Sequence, residues 1–247
     1  MYLLEEQICE AFSEYAQTHS WVVYPETGSW DMLLVKGDIQ IGIQAKLKLN
    51  IKVIHQALPH DYRRTAGINL SVPGPNYRAV LVPQRDYDFM DVCAACHLAC
   101  FCPEVDRYGD ARWLDQGLIA ESEFGKEYLW TPSKPVWLPE HVPTMAAGVP
   151  SPRSMSKWKE GALKAMAHLE IHGHITSKDF ASYGVSASTF VQRDWIRSSG
   201  CKEGRHTLYL RGSKAHQLLG KNPGEYKKYL EVMAGKIPVN AEPQLEL

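Results

Sequence analysis

The dipeptide Gly37-Asp38 constrains this chain more than any other feature, because it joins two β-prone runs, Trp30-Asp31-Met32-Leu33-Leu34-Val35-Lys36 and Ile39-Gln40-Ile41-Gly42-Ile43-Gln44-Ala45-Lys46. A two-residue Gly-Asp loop between such runs predicts a tight β-hairpin in which Lys36 pairs with Ile39. Counting outward sets Asp31 opposite Gln44, with Lys46 two residues further along on the same face. Directly opposed residues have Cβ atoms about 4.5–5.5 Å apart, so a carboxylate, an amide and an ammonium are expected together. The other face carries Met32, Leu34, Ile39, Ile41, Ile43 and Ala45 and reads as core. A slip of one residue would send Asp31 and Gln44 to opposite faces, so the grouping rests on the length of the turn.

Upstream, Leu4, Ile8, Ala11, Phe12 and Tyr15 recur at helical spacing and predict a helix over Tyr2 to Ala16 with one buried face. Trp21 to Tyr24 reads as a short strand. Downstream, Asn50 is placed to cap a helix reaching Leu58, Tyr77 to Pro83 reads as a strand, Tyr87 to Leu98 as a helix and Ala99 to Cys102 as a strand. The expected order is α-β-β-β-α-β-α-β, an α/β fold.

With that order, an Asp beginning one central strand and Gln44-Ala45-Lys46 on the next, residues 1–105 resemble the PD-(D/E)XK (restriction endonuclease-like) nuclease superfamily, whose core is αβββαβ. Gln in place of the commoner Glu is similar to the QXK variant of Mrr-type restriction endonucleases. The resemblance implies metal-assisted phosphodiester hydrolysis. Asp31 would be the principal ligand of Mg²⁺ or Mn²⁺, joined by Gln44 and the backbone carbonyl of Ala45, because these ions prefer hard oxygen donors and retain several waters. Lys46 would orient the attacking water or stabilise charge in the transition state. It further implies roles for Glu5 on the first helix, Glu26 in the loop before Asp31 and Gln56 on the helix after the QXK strand. Arg63 and Arg64, preceding the Gly/Pro-rich run from Gly67 to Pro75, are expected to form a loop over the substrate groove. An amide is a weaker metal ligand than a carboxylate, which leaves a restriction-like DNA-binding regulator or inhibitor that no longer cuts as the second reading.

Charge divides the chain in two. Residues 1–130 hold 11 Lys/Arg against 18 Asp/Glu, a balance of −7, whereas 153–236 hold 15 against 7, a balance of +8. Between them, Thr131 to Pro152 contains Pro132, Pro135, Pro139, Pro143, Pro150 and Pro152, too many for a regular element. The expected organisation is a nuclease-like domain at 1–130, a proline-rich linker at 131–152, a basic domain at 153–236 and a tail at 237–247. A basic half beside an acidic one points to a polyanion partner.

Within the basic half, Ala162, Leu163, Met166 and Leu169 predict a helix over Ser156 to Gly173. A short second helix follows, with Ser177 as its cap and Phe180 as its anchor, ending at Gly184. A third is expected over Ser186 to Ser198, with Phe190, Val191, Trp195 and Ile196 facing inward. Cys201 to Arg211 then reads as strand, turn and strand. The succession resembles a winged helix-turn-helix, in which the third helix enters the major groove of DNA and the wing touches the backbone. Recognition candidates are Ser188, Thr189, Gln192, Arg193 and Arg197; wing phosphate contacts are Lys202, Arg205, His206 and Arg211.

Cys93, Cys96, Cys100 and Cys102 lie close together, yet i, i+3, i+7 spacing on one helical face running into a strand reads as core thiols. Zinc or an iron-sulfur centre is not expected there, since such sites use paired hooks separated by a loop. There is no apolar run near the ~18 residues a membrane helix needs and no basic, then apolar, leader, so a cytoplasmic, membrane-free protein is expected. The reading is a bacterial or phage deoxyribonuclease acting on duplex DNA. It is expected as a homodimer, because cutting both strands takes two sites.

Overall fold

A computed structural model describes residues 2, 4–58, 73–105, 111–115, 118–119, 128–130, 132, 134–148 and 154–235. The chain divides into two compact units, Met1–Leu138 with Met145–Ser154, and Pro139–Thr144 with Met155–Leu247. The first unit runs α1 (Glu5–Thr18), β1 (Val22–Thr27), β2 (Trp30–Lys36), β3 (Ile39–Ala45), α2 (Ile51–Ala57), β4 (Tyr77–Leu81), α3 (Tyr87–Ala95), β5 (Ala99–Val105) and β6 (Ala111–Leu114).

The hairpin turn has the expected length. Gly37 alone in it takes a left-handed backbone (φ 57°), as a II′ turn requires, and the register pairs Lys36 with Ile39 and Met32 with Ile43. The six strands form one mixed sheet in the order β1-β2-β3-β4-β5-β6, with β3, β4 and β5 mutually parallel and the flanking pairs antiparallel.

Parallel strands need crossover helices, and those helices cover both faces of the sheet. On one face α1 lays Ile8, Cys9, Phe12 and Ala16 against Met32, Leu34, Ile41, Ile43 and Phe101. On the other, Val53, Ile54 and Ala57 of α2 and Cys93 of α3 pack with Trp30, Leu33, Val80, Cys100 and Cys102. This corrects the expectation that only one hairpin face is core: the pleat that carries Asp31 and Gln44 also carries buried Leu33 and Gly42. Gly42 is there because the Trp30 ring lies against its backbone, where a Cβ would come within 2.5 Å of the ring.

Helix ends follow local chemistry. Asn50 caps α2 by accepting from Lys52 N and Val53 N, and Asp86 caps α3 by accepting from Phe89 N. Helix α3 ends at Ala95 rather than Leu98, where His97 turns left-handed at φ 54°. Cys93, Cys100 and Cys102 are buried in the sheet core. The proline-rich stretch has no helix or strand among its described residues, and it is not a free spacer: Val136 exchanges two hydrogen bonds with the Gln40 amide, at 2.9 and 2.7 Å.

The second unit runs α4 (Lys157–His172), β7 (Ile175–Thr176), α5 (Ser177–Ser182), α6 (Ala187–Gln192), β8 (Ile196–Glu203), β9 (His206–Arg211), α7 (Ala215–Leu219) and α8 (Pro223–Met233). Its sheet has the order β7-β9-β8. Helix α4 is capped by Ser156 and stopped by left-handed Gly173. Helix α5 is capped by Thr176, not Ser177, because the Asp179 carboxylate returns the bond to the Thr176 N–H and closes a reciprocal box.

The third expected helix is cut in half. Helix α6 ends at Gln192, and Ile196 already begins a strand. Asp194 adopts φ 55°, Trp195 N returns to Phe190 O, and Gly212 passes so close that a Cβ there would stand 2.4 Å from Asp194 O. The helical pattern continues in sequence, but burial of Trp195 turns the chain back. Segment 139–144 is fastened to this unit by buried carboxylates. Glu160 accepts from Glu140 N (3.0 Å) and Tyr229 Oη (3.1 Å), and Glu225 takes both the N–H and the hydroxyl of Thr144.

Candidate functional site

In the first unit, the polar residues singled out by the hairpin gather where β2 begins and β3 ends. Asp31 Oδ2 accepts the N–H of Ala45 at 2.8 Å, tying the two strands together at the side chain. Lys46 follows the last strand residue, its own N–H bonded to Leu81 O, and its ammonium meets Glu5 Oε2 of α1 at 2.6 Å. Gln44 lies across from Asp31 by extension of the hairpin register, but its Nε2 donates to Ser29 O at 2.5 Å. That bond turns the amide nitrogen toward the loop before β2 and leaves Oε1 as its second end.

Glu26 belongs to the same row. Pro25 pairs with Met32 and Thr27 with Trp30, so Glu26 falls across from Asp31. It is buried, holds an unusual left-handed backbone (φ 46°) and accepts Gly148 N at 2.9 Å. A non-glycine residue in this region costs about 1–2 kcal/mol, a strain that native structures tend to keep at functional positions.

Electrostatics tie the group together. Burial raises the Asp31 carboxyl above its ordinary value; the Ala45 N–H and Lys46 oppose that rise, and Glu5 adds to it. The buried Cys9 thiol on α1 is pushed far up by burial, then by Asp31, Glu26 and Glu5, with Lys46 the opposing charge. Three carboxylates and one ammonium thus share one field around the start of α1, a setting that favours a cation. Cys9 and Gly148 are the members that sequence reasoning missed. The signal for Gly148 was only its being a glycine: at φ 75°, a Cβ would lie 3.0 Å from Cys9 Sγ and from the Glu5 backbone.

Gln56 sits on α2, in the other layer, with Oε1 enclosed and lacking a hydrogen bond among the described residues. Arg63 and Arg64 lie outside the described residues, as does the 237–247 tail. Among the described residues no three His, Cys, Asp or Glu side chains converge to hold a metal ion. An ion bound at Asp31 would therefore be completed by amide, backbone and water oxygens, which suits the hard-oxygen preference of Mg²⁺.

In the second unit, the recognition candidates separate. Ser188, Thr189 and Gln192 are on α6, where the Ser188 hydroxyl pairs with Ser186 Oγ at 2.7 Å. Arg193 is the C-cap residue and lays its guanidinium 5.0 Å over the Trp195 ring. Arg197 is not on the helix at all but on β8, with Lys202; Arg205 lies in the turn and His206 opens β9, its Nδ1 3.4 Å from Ser177 Oγ. Arg211 is ion-paired with Glu170.

No helix among the described residues is long and apolar enough to cross a membrane. No family model matches this chain, and neither a curated protein nor a solved structure matches it.

Proposed function

We propose that this chain is a metal-dependent DNA endonuclease, with a restriction endonuclease-like first unit that cuts and a winged-helix second unit that docks on duplex DNA. The observation that carries the reading is the gathering of Asp31, Glu26, Glu5 and Lys46 at the ends of β2 and β3 beside α1. Asp31 Oδ1, Gln44 Oε1 and the Ala45 carbonyl would hold Mg²⁺ or Mn²⁺ with waters. Such an ion, when bound, offsets phosphate charge and acidifies a coordinated water. Lys46, steered by Glu5, is the chain's own cation for a scissile phosphate or its attacking water. The order α4-β7-α5-α6-β8-β9, with its β7-β9-β8 sheet, supports the winged-helix assignment. A homodimer would present two such centres to the two strands.

The test is cleavage of supercoiled plasmid with Mg²⁺ or Mn²⁺. Wild type should nick or linearise it, and Lys46→Ala should lower the rate by about 10²-fold or more. Cleavage that survives both Lys46→Ala and Asp31→Ala would sink the assignment. The Gln44 bond to Ser29 favours one other reading, a regulator that binds DNA without cutting; tight duplex binding without metal-dependent cleavage would select it. Degradation of RNA with duplex DNA left intact would redirect the proposal to RNA.

A further inference from the structure

We infer that the wing, β8 and β9 with their connecting turn, is the principal DNA-reading element of this protein and enters the major groove, while α6 contributes little. The inference rests on the winged-helix docking proposed above and specifies which part of that module does the work.

Helix α6 is poorly equipped for the task. Its six residues, Ala187 to Gln192, span about 9 Å and include no cation. Phe190 is buried, and the exposed Val191 offers a base edge nothing to hydrogen-bond. The nearest cation, Arg193, lies beyond the helix and is spent on the Trp195 ring. Sequence periodicity had placed Arg197 on this helix; the break at Asp194 moves it to the wing.

The wing has what the helix lacks. Arg197, Lys202 and Arg205 are exposed, and none of them makes an ion pair among the described residues. Arg211, by contrast, is held by Glu170 at the base. Register fixes how the free cations point. Arg197 pairs with Leu210 and Lys202 with Thr207; these β9 partners are an odd number of residues apart, so the two cations project from opposite faces of the ribbon. Arg205 stands between them at the tip. The bulge that separates Ser198 from Lys202 is internally bonded: Ser198 Oγ takes Gly200 N, Ser199 Oγ takes Cys201 N, and Ser199 Oγ donates to Leu208 O. It is a built twist that re-aims the tip.

A ribbon with cations on both faces and one at its end suits insertion between two rows of phosphate better than lying flat on one. With side chains on both faces it is about 10 Å thick. The minor groove is about 6 Å wide and the major groove about 12 Å, so the major groove is the one that admits it. Arg197 and Lys202 then meet phosphates of the two strands, and Arg205 reaches base edges, where a guanine offers two acceptors to a guanidinium.

The experiment is fluorescence anisotropy of the full chain with a labelled duplex over a salt series. It compares wild type, a wing variant (Arg197→Gln, Lys202→Gln and Arg205→Gln combined) and a helix variant (Ser188→Ala with Gln192→Ala). All five side chains are exposed, and circular dichroism checks that each variant stays folded. The wing variant should lose at least tenfold in affinity and flatten the slope of log K against log salt by about 3, one unit per phosphate contact or slightly less. The helix variant should keep the wild-type slope and lie within about threefold of its affinity. Methylating guanine N7, in the major groove, should weaken wild-type binding, and a minor-groove ligand should not compete. A helix variant that loses as much as the wing variant, or displacement by the minor-groove ligand, overturns the inference while leaving DNA docking intact. Absence of salt-dependent duplex binding by wild type overturns the docking reading and the inference together.

Discussion

At Asp31 the fold accepts a cost. The carboxyl is largely withdrawn from water, bonded to the Ala45 N–H and placed near Glu5 and Glu26, and the net result is a raised pKa. A raised folded pKa means that the folded chain holds this proton more tightly than the unfolded one. The group therefore favours folding fully below its ordinary value of 3.8, and that contribution is lost as pH rises through the folded value. Asp31→Asn should consequently raise stability at neutral pH, by about 1 kcal/mol, as removal of functional strain commonly does. The gain over wild type should shrink as pH falls through this window; a constant difference in denaturation midpoint across pH would contradict the account. Mg²⁺ should raise the wild-type melting temperature and leave that of Asp31→Asn unmoved, because only the carboxylate gives the ion a reason to prefer the folded state.

Gly148 illustrates the same economy in backbone form. It combines φ 75° with a close approach to Cys9 and Glu5, and its N–H serves the Glu26 carboxylate. Gly148→Ala should cost about 1–3 kcal/mol, read by denaturant unfolding, through left-handed strain and a displaced contact. Loss of metal-stimulated cleavage should accompany it. Unchanged stability would show that the segment yields freely.

At the scale of elements, the hairpin and the short α6 mark the two extremes of legibility. A two-residue turn sets register by geometry alone, so Lys36 opposite Ile39, and hence Asp31 beside the end of β3, follows from counting. Helix α6 fails the same kind of counting. Its apolar spacing runs on through Trp195 and Ile196, but the chain reverses where Asp194 turns left-handed against Gly212. Gly212→Ala should place a Cβ in the Asp194 carbonyl, so either the β9 end or the α6 break must give. The expected loss is at least about 2 kcal/mol by thermal or denaturant unfolding. A neutral Gly212→Ala would mean that the break is not locked by this approach.

At the scale of the whole molecule, the two units need not melt together. Segment 139–144 belongs with the second unit because Glu160 and Glu225 satisfy its backbone from within the fold, and Lys228 Nζ donates to Val142 O at 2.6 Å. Glu225→Ala strips the partner from both the N–H and the hydroxyl of Thr144, which should cost about 2–3 kcal/mol. In calorimetry that loss should lower one transition and spare the transition that responds to Mg²⁺. A single transition, shifted as a whole, would show that the units unfold as one.

The sequence by itself determined what depends on neighbours along the chain. That includes the hairpin register, the Asn50 and Ser156 caps, the α-β-β-β-α-β-α-β order and the division between an acidic and a basic half, because turn length, capping and periodicity act over a few residues. Only the tertiary structure decided what depends on residues far apart. Helices on both sheet faces made the Asp31 pleat a second core, α1 brought Glu5 to Lys46, and Gly148 reached back across 122 positions to hold Glu26. In the same way the packing of Trp195 took Arg197 from a helix and gave it to the wing. Nothing local encodes these encounters, since their energy is collected only when the core closes.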